Sequence, residues 1–314
     1  MPAVSEEEFI RLCRDMRSTS LVAEKLGVSK RSVIARRKRL EASRGVQFGD
    51  MGANRVEAIY ARHSASVRLP IESGAVVVFS DAHYWPGFVT TAHRALLKLI
   101  RELKPRAVIC NGDAFDGASI SRFQRIGWDR KPSVMDELKA ATERLAEIQQ
   151  AAGNAKLVWP LGNHDARFET RLAQSAPEFE GIGGFHLKDH FPEWSPCWAC
   201  WINDNVVVKH RYKNGIHAAH NNTVNAGVSI VTGHLHALKV TPFADYNGRR
   251  YGVDTGTLAD PDGPQFVDYL EASPTNWASG FAVLTFHRGK LLPPELVEKI
   301  DEGLVTFRGQ VIEV

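Results

Sequence analysis

Cysteine is scarce in this chain of 314 residues: Cys13, Cys110, Cys197 and Cys200 are too few and too scattered for a disulfide framework. Cys197 and Cys200 lack the second cysteine pair that a zinc site would need, and they fall in an apolar run, so packing is their expected role. Long apolar runs are missing as well. No stretch approaches the ~18 residues of a membrane-crossing helix, and the first residues, with Glu6, Glu7 and Glu8, lack the cationic start of a signal peptide. Neither sign of charge dominates, because the net charge is only +3. The expectation is a cytoplasmic, reduced protein without a membrane partner. An apolar fraction of 44% and a charged fraction of 24% suit a globular chain with a full core.

The charge is unevenly spread. Residues 1–45 carry eleven Lys/Arg against six Asp/Glu, a surplus of five that leaves the rest of the chain at about −2. Phe9, Ile10, Leu12 and Cys13, then Leu21, Val22 and Leu26, recur at helical spacing. Gly27 and an N-capping Ser29 separate a short helix from a second one, Lys30 to Leu40. Val33, Ile34 and Leu40 should face inward there, with Arg31, Arg36, Arg37, Lys38 and Arg39 outward. The pattern resembles a small all-α helix-turn-helix domain whose second helix would enter a DNA major groove, with Lys30, Arg31, Arg36 and Arg37 as candidate contacts. A protein-interaction module with a solvated basic face fits the same pattern.

Residues 46–73 read as a linker holding one helix near Asn54 to Arg62. From Gly74 the chain becomes α/β. Ala75 to Phe79, Ala107 to Cys110 and Lys156 to Leu161 are short apolar runs suited to buried strands, alternating with amphipathic stretches at Val89 to Leu103 and Ser133 to Ala152. Parallel βαβ units follow from that alternation. Beyond Pro177 the strands shorten: Trp198 to Ile202, Val206 to Lys209, Val228 to Val231, Val240 to Phe243, Arg249 to Val253 and Phe281 to Phe286. They are expected to form a second, mostly antiparallel set. Val305 to Ile312 reads as a terminal hairpin in an extension spanning 291–314.

Chemistry collects at strand ends. Five apolar runs stop at groups that bind metal or move protons: Asp81 with His83, Asp113, Asn163 with His164, His210, and His234 with His236. One histidine near a strand end is ordinarily a surface or packed residue. Five successive endings of this kind exceed what one ion needs, and mixed carboxylate and imidazole donors suit Mn²⁺, Fe or Zn²⁺ better than an oxygen-only ion.

In order, Asp81-Ala82-His83, Gly112-Asp113 with Asp116, Gly162-Asn163-His164-Asp165, His210 and Gly233-His234-Leu235-His236 resemble the calcineurin-like metallophosphoesterase family over about residues 74–290. The resemblance implies a four-layer α/β sandwich of the metallophosphoesterase type and two divalent metal ions, Mn²⁺ first, with Fe, Zn²⁺ or Ni²⁺ as alternatives. It gives the first ion to Asp81, His83 and His236, the second to Asn163, His210 and His234, and makes Asp113 the bridge. It also implies that His164 protonates the leaving group and that Asp165 orients or charge-stabilises it. Many relatives carry glycine after the residue matching His210, where this chain has Arg211, so His217 and His220 compete for that role or face the substrate. Arg122 and Arg167 are candidate phosphate contacts, with a surface salt bridge as the alternative for each.

The function expected is a metal-dependent phosphoesterase. The basic helical domain points to a nuclease or phosphodiesterase acting on DNA by activated water. The alternatives are a small-nucleotide or phosphoprotein phosphoesterase whose helical domain only localises it, and a DNA-binding regulator with an inactive phosphoesterase scaffold.

Overall fold

The computed structural model describes residues 4–16, 18–46, 48, 64–122, 128, 130–270 and 273–314, so the helix expected near Asn54 to Arg62 lies outside the described residues. The chain divides into two compact units, residues 1–62 and 63–314.

In the first unit, α1 (Glu6–Met16), α2 (Thr19–Leu26) and α3 (Lys30–Arg44) enclose a core of Phe9, Cys13, Val22, Ala23, Val33, Leu40 and Phe48. Ser18 Oγ caps α2 by accepting from Leu21 N at 3.4 Å, and Ser29 Oγ caps α3 by accepting from Ser32 N at 3.1 Å. Two inward–outward expectations reverse. Val33, Arg36, Arg37 and Leu40 share one helical face at i, i+3, i+4 and i+7, which leaves Ile34 44% exposed. Arg36 Nη2 donates to Val4 O at 2.6 Å, and its guanidinium stands 4.6 Å from the centroid of the Phe9 ring. Arg37 pairs with Glu41 at 3.2 Å. Arg36 and Arg37 therefore hold the unit together, and the exposed cations of α3 are Lys30, Arg31, Lys38, Arg39 and Arg44, the last paired with Glu6 at 2.8 Å.

The second unit is a single sheet that folds over on itself. Its strands are β1 (Ser64–Leu69), β2 (Gly74–Phe79), β3 (Ala107–Cys110), β4 (Lys156–Pro160), β5 (Ser195–Ile202), β6 (Val206–Val208), β7 (Ser229–Thr232), β8 (Leu238–Asp245), β9 (Gly248–Thr255), β10 (Gly280–His287), β11 (Lys290–Leu291), β12 (Glu295–Asp301), β13 (Leu304–Phe307) and β14 (Gln310–Glu313). Neighbours run β14-β13-β12-β10-β2-β3-β4-β5-β6-β7-β9-β8, with β1 beside β5 and β11 beside β10. The strand β1 falls in the stretch read as linker, and β12 to β14 extend the sheet that begins at β2, with β13 and β14 as the expected hairpin.

Alternation along the central strands sorts side chains into two cores. Val77, Phe79, Val108, Cys110 and Trp159 point to one, where they meet helices α4 (Thr91–Leu103) and α5 (Val134–Ala152). Val76, Val78, Ala107, Ile109 and Val158 point to the other, where they meet Cys197, Cys200, Ile202, Val206, Val208, Val231 and Val253 from the second half of the sheet. After α6 (Asp165–Ser175) and the short α7 (Leu187–His190), helix α8 (Ala218–Ala226) covers that second half. Helix, sheet, sheet and helix make the four-layer sandwich. All four cysteines are buried and free.

The second half is not mostly antiparallel. The pairs β6–β7 and β7–β9 are parallel, because α8 serves as the crossover between β6 and β7. The strand β10 lies beside β2 in the first half.

Candidate metal centre

The carboxyl ends of β2, β3, β4, β6 and β7 meet at one edge of the sandwich. There the donors form two compact groups, Asp81 with His83 and His236, and Asp113 with His210 and His234, each within 4.8 Å. The turns that aim them are strained. Of the ten described non-glycine residues with positive φ, five are Asp81, His83, Asp113, His234 and His236, a conformation that costs of order 1–3 kcal/mol each and clusters at functional sites. Backbone bonds hold the loops together: Asp81 N donates to Gly112 O and His83 N to Asp113 O, both at 2.9 Å. Two glycines make room. A Cβ at Gly162 would collide with the carboxylate and amide of Asp113, and one at Gly233 with Ser80 Oγ and Asp81 Oδ2.

Several buried donor atoms have no hydrogen-bond partner among the described residues: His83 Nε2, Asn163 Oδ1 and His210 Nε2. His210 Nε2 stands 3.0 Å from Asp113 Oδ2 without hydrogen-bond alignment. Buried polar atoms are normally satisfied, so orphaned His83 Nε2 and His210 Nε2 in the groups of Asp81 and Asp113 fit cations. The electrostatics agree. Burial opposes ionisation of Asp81, but His236 and His210 outweigh it and hold the carboxyl at about 2. Burial lowers His210, yet Asp113 and Asp81 push it up to about 10. The carboxylates demand positive charge, and divalent ions would meet that demand in place of protons.

Beyond these ligand candidates lies a third group, His83, Asp116 and His164. Asp116 Oδ1 accepts from His83 Nδ1 at 2.8 Å and from His164 Nδ1 at 2.7 Å. Both rings are thereby fixed with Nε2 outward, one towards the ligand cluster and the other towards Arg167, whose Nη2 is 3.0 Å away. Burial lowers the His164 pKa, but Asp113 and Asp116 raise it above the ordinary value on balance. Arg167 Nη1 also donates to Asp116 O at 2.9 Å.

Asp165, expected to orient or charge-stabilise His164, makes its hydrogen bonds elsewhere. Its Oδ2 accepts from Asp113 N at 2.8 Å, Gly162 N at 2.8 Å and Trp159 Nε1 at 3.0 Å, and its Oδ1 from Ala114 N at 3.0 Å and Phe115 N at 3.1 Å. It ties the loop after β3 to the loop after β4 from beneath, and Asp116 holds His164 instead. The spacing of three residues after Asp113 was the available signal for Asp116. Glu137 left no such signal. It reads as helix surface, yet it is fully buried in α5, where Oε1 accepts from Ala118 N at 3.0 Å and steadies the turn after Asp116. Burial and Asp116 push its carboxyl up to about 8.

His210 joins the ligand group, whereas His217 and His220 are exposed at the start of α8 and stand outside the donor groups. Arg122 is exposed beside residues outside the described set. Phe266 and Trp277 flank the first donor group, at ring-centroid distances of 5.2 Å from His83 and 4.3 Å from His236 respectively.

Residues 74–238 match the calcineurin-like phosphoesterase family. The chain belongs to that family. Calcineurin-like phosphoesterases are hydrolases that typically bind divalent metals, which agrees with the His/Asp clusters here. The Gene 54 protein of Mycobacterium phage L5 is 26% identical over 268 residues, 77% of this chain and 100% of its own length. Vps29 from Entamoeba histolytica superposes with a TM-score of 0.40 at 13% identity, over 76% of this chain and 99% of that one. A protein serine/threonine phosphatase from Saccharomyces cerevisiae gives 0.35 at 13% identity, over 83% and 87%. Among the described residues no helix is long and apolar enough to cross a membrane.

Proposed function

We propose that this calcineurin-like phosphoesterase is a dinuclear metal-dependent phosphodiesterase acting on nucleic acid. The observation that carries the chemistry is the pair of donor groups, Asp81/His83/His236 and Asp113/His210/His234, with Asn163 Oδ1 buried and unpartnered nearby. Asp113 bridges in this reading, and Mn²⁺ is the favoured ion. Two divalent cations held there would neutralise phosphate charge and acidify water.

The protein's own residues do the rest. Asp116 fixes His164 through Nδ1, so that with Arg167 withdrawn from Nε2 this nitrogen can carry a proton and give it to the departing oxygen, and Asp113 and Asp116 favour the protonated ring. Arg167 rests against the same Nε2. A phosphate oxygen draws its guanidinium away and uncovers the acid, so Arg167 acts as substrate contact and cover.

Support for a nucleic-acid substrate comes from the first unit. Its exposed Lys30, Arg31 and Lys38 make no hydrogen bond or ion pair among the described residues, and lie on a helix that follows a three-residue turn, as in DNA-reading helix pairs. Manganese-dependent hydrolysis of bis-p-nitrophenyl phosphate and of DNA tests the reading. Turnover of phosphomonoesters alone would favour a phosphatase, and no turnover with any divalent ion would favour a DNA-binding regulator.

A further inference from the structure

From Asn205 to Ala244 the chain has no Asp or Glu, although its 314 residues include 36 of them. The same stretch carries Lys209, Arg211, Lys213 and Lys239, together with His210, His234 and His236 of the donor groups. The chain beyond residue 45 is slightly acidic as a whole, so this stretch stands apart by its sign.

Arg211 adjoins the donors. It follows His210, whose carbonyl O accepts from Gly233 N at 2.9 Å, and so leaves the carboxyl end of β6 at the edge where the ligand candidates meet. Its side chain is exposed and makes no hydrogen bond or ion pair among the described residues. The backbone that follows is pinned. Asn222, 1% exposed in α8, accepts from Lys213 N at 3.1 Å and donates to Lys213 O at 3.4 Å. Lys239 Nζ donates to Ile216 O at 2.8 Å, and Lys213 Nζ to Asn225 Oδ1 at 2.9 Å. Both ammonium groups are held by neutral acceptors, and neither forms an ion pair among the described residues. Three cations without a carboxylate, on a fixed loop, complement an anion.

That anion differs from the phosphate at the reacting centre. Arg167 reaches the centre through His164 and Asp116, on the side of His83. Arg211 extends from the other donor group, Asp113 with His210 and His234. Guanidinium groups attached to different donor groups suit two phosphates rather than one.

We infer that Arg211, on the ledge it forms with Lys213 and Lys239, binds the phosphate that flanks the scissile one along a nucleic-acid strand. The inference rests on the phosphodiesterase reading. It makes Arg211 a specificity residue, through which a chain of phosphates is preferred to an isolated diester.

A binding test needs no turnover. Equilibrium dialysis against the full chain loaded with Mn²⁺ compares thymidine 3′,5′-bisphosphate with thymidine 5′-monophosphate. Wild type should bind the bisphosphate about tenfold more tightly, the scale of one charge-assisted phosphate contact. Arg211→Ala should lose most of that preference and Arg211→Lys should keep part of it. Each ratio is taken within one variant, with metal content measured alongside. Lys290→Ala removes an exposed cation near the turn beside Glu72, at the opposite end of β2, and controls for net charge. A wild-type ratio near one overturns the subsite, as does a fall in Lys290→Ala equal to that in Arg211→Ala. Thymidine 5′-diphosphate places its two phosphates side by side. Tighter, Arg211-dependent binding of that compound than of the bisphosphate would point to a polyphosphate and overturn the strand assignment. Cleavage of thymidylyl-thymidine, without and with a terminal phosphate at either end, should show the same Arg211-dependent preference in kcat/KM. Should no dinucleotide be cleaved, the phosphodiesterase reading fails by itself, and the dialysis ratios still decide the subsite.

Discussion

At the scale of single residues, two neighbours in sequence have separate jobs. His164 touches Asp116 and Arg167, whereas Asp165 accepts five hydrogen bonds beneath the loops. Replacing His164 by alanine should slow diesters with poor leaving groups far more than those with good ones, with metals retained; equal losses would remove His164 from the acid role. Asp116→Asn takes away a negative charge that raises the His164 pKa. The alkaline limb of kcat/KM should therefore move to lower pH, and a limb that stays or moves upward contradicts the pairing. Asp165→Ala should act on the fold. Five donors would lose their acceptor, at a cost of about 1–3 kcal/mol for each group left buried and unsatisfied. Thermal denaturation should show a large fall in midpoint, and the leaving-group dependence of whatever activity survives should match wild type.

At the scale of elements, the decisive unit is a buried strand followed by a tight, strained turn. Every strand that carries a ligand candidate could be read from the order of residues, because a run such as Val76-Val77-Val78-Phe79 suits a strand covered on both faces and little else. Ligand candidates were legible for the same reason, since polar groups after such runs have few bland explanations. Partners across the fold were not. Asp165 and Glu137 are ordinary helix-start residues by local pattern, and only the packing of β3, β4 and α5 turns them inward. The parallel pairing of β6, β7 and β9 was hidden likewise, because short strands separated by α8 do not disclose their order in the sheet. Gly162 shows how tightly the turns are built. In Gly162→Ala the new methyl meets the carboxylate and amide of Asp113. The variant should fold and yet lose at least one equivalent of metal by elemental analysis; full dinuclear content would show that the turn can yield.

At the scale of the whole molecule, charge organises both units, in different ways. In the second unit the buried carboxylates keep His210 protonated up to about 10, against 6.5 for an ordinary imidazole. Because the folded value is the higher one, the stabilisation is complete below pH 6.5 and is lost as pH rises through about 10. The metal-free protein should therefore lower its thermal midpoint as pH climbs above 6.5. Added Mn²⁺ should raise the midpoint by a growing increment over the same window, because ions and protons compete for one site. A metal-free midpoint that is flat or rising there would break the link between His210 and the carboxylates.

In the first unit the cations divide by packing. Arg36 and Arg37 are spent inside the three-helix unit, so Arg36→Ala should loosen that unit, while Arg31→Ala and Lys38→Ala remove only exposed charge. If the exposed face meets DNA phosphates, a chain shortened to residues 63–314 should hydrolyse a small diester with the same kcat/KM as the full chain. On long DNA its kcat/KM should fall, and the logarithmic dependence on salt should become shallower by about the number of phosphates that the basic helices had neutralised. Arg31→Ala in the full chain should reproduce part of both changes. Equal activity and equal salt dependence of the two chains on DNA would detach the basic helices from the substrate and leave them to another partner.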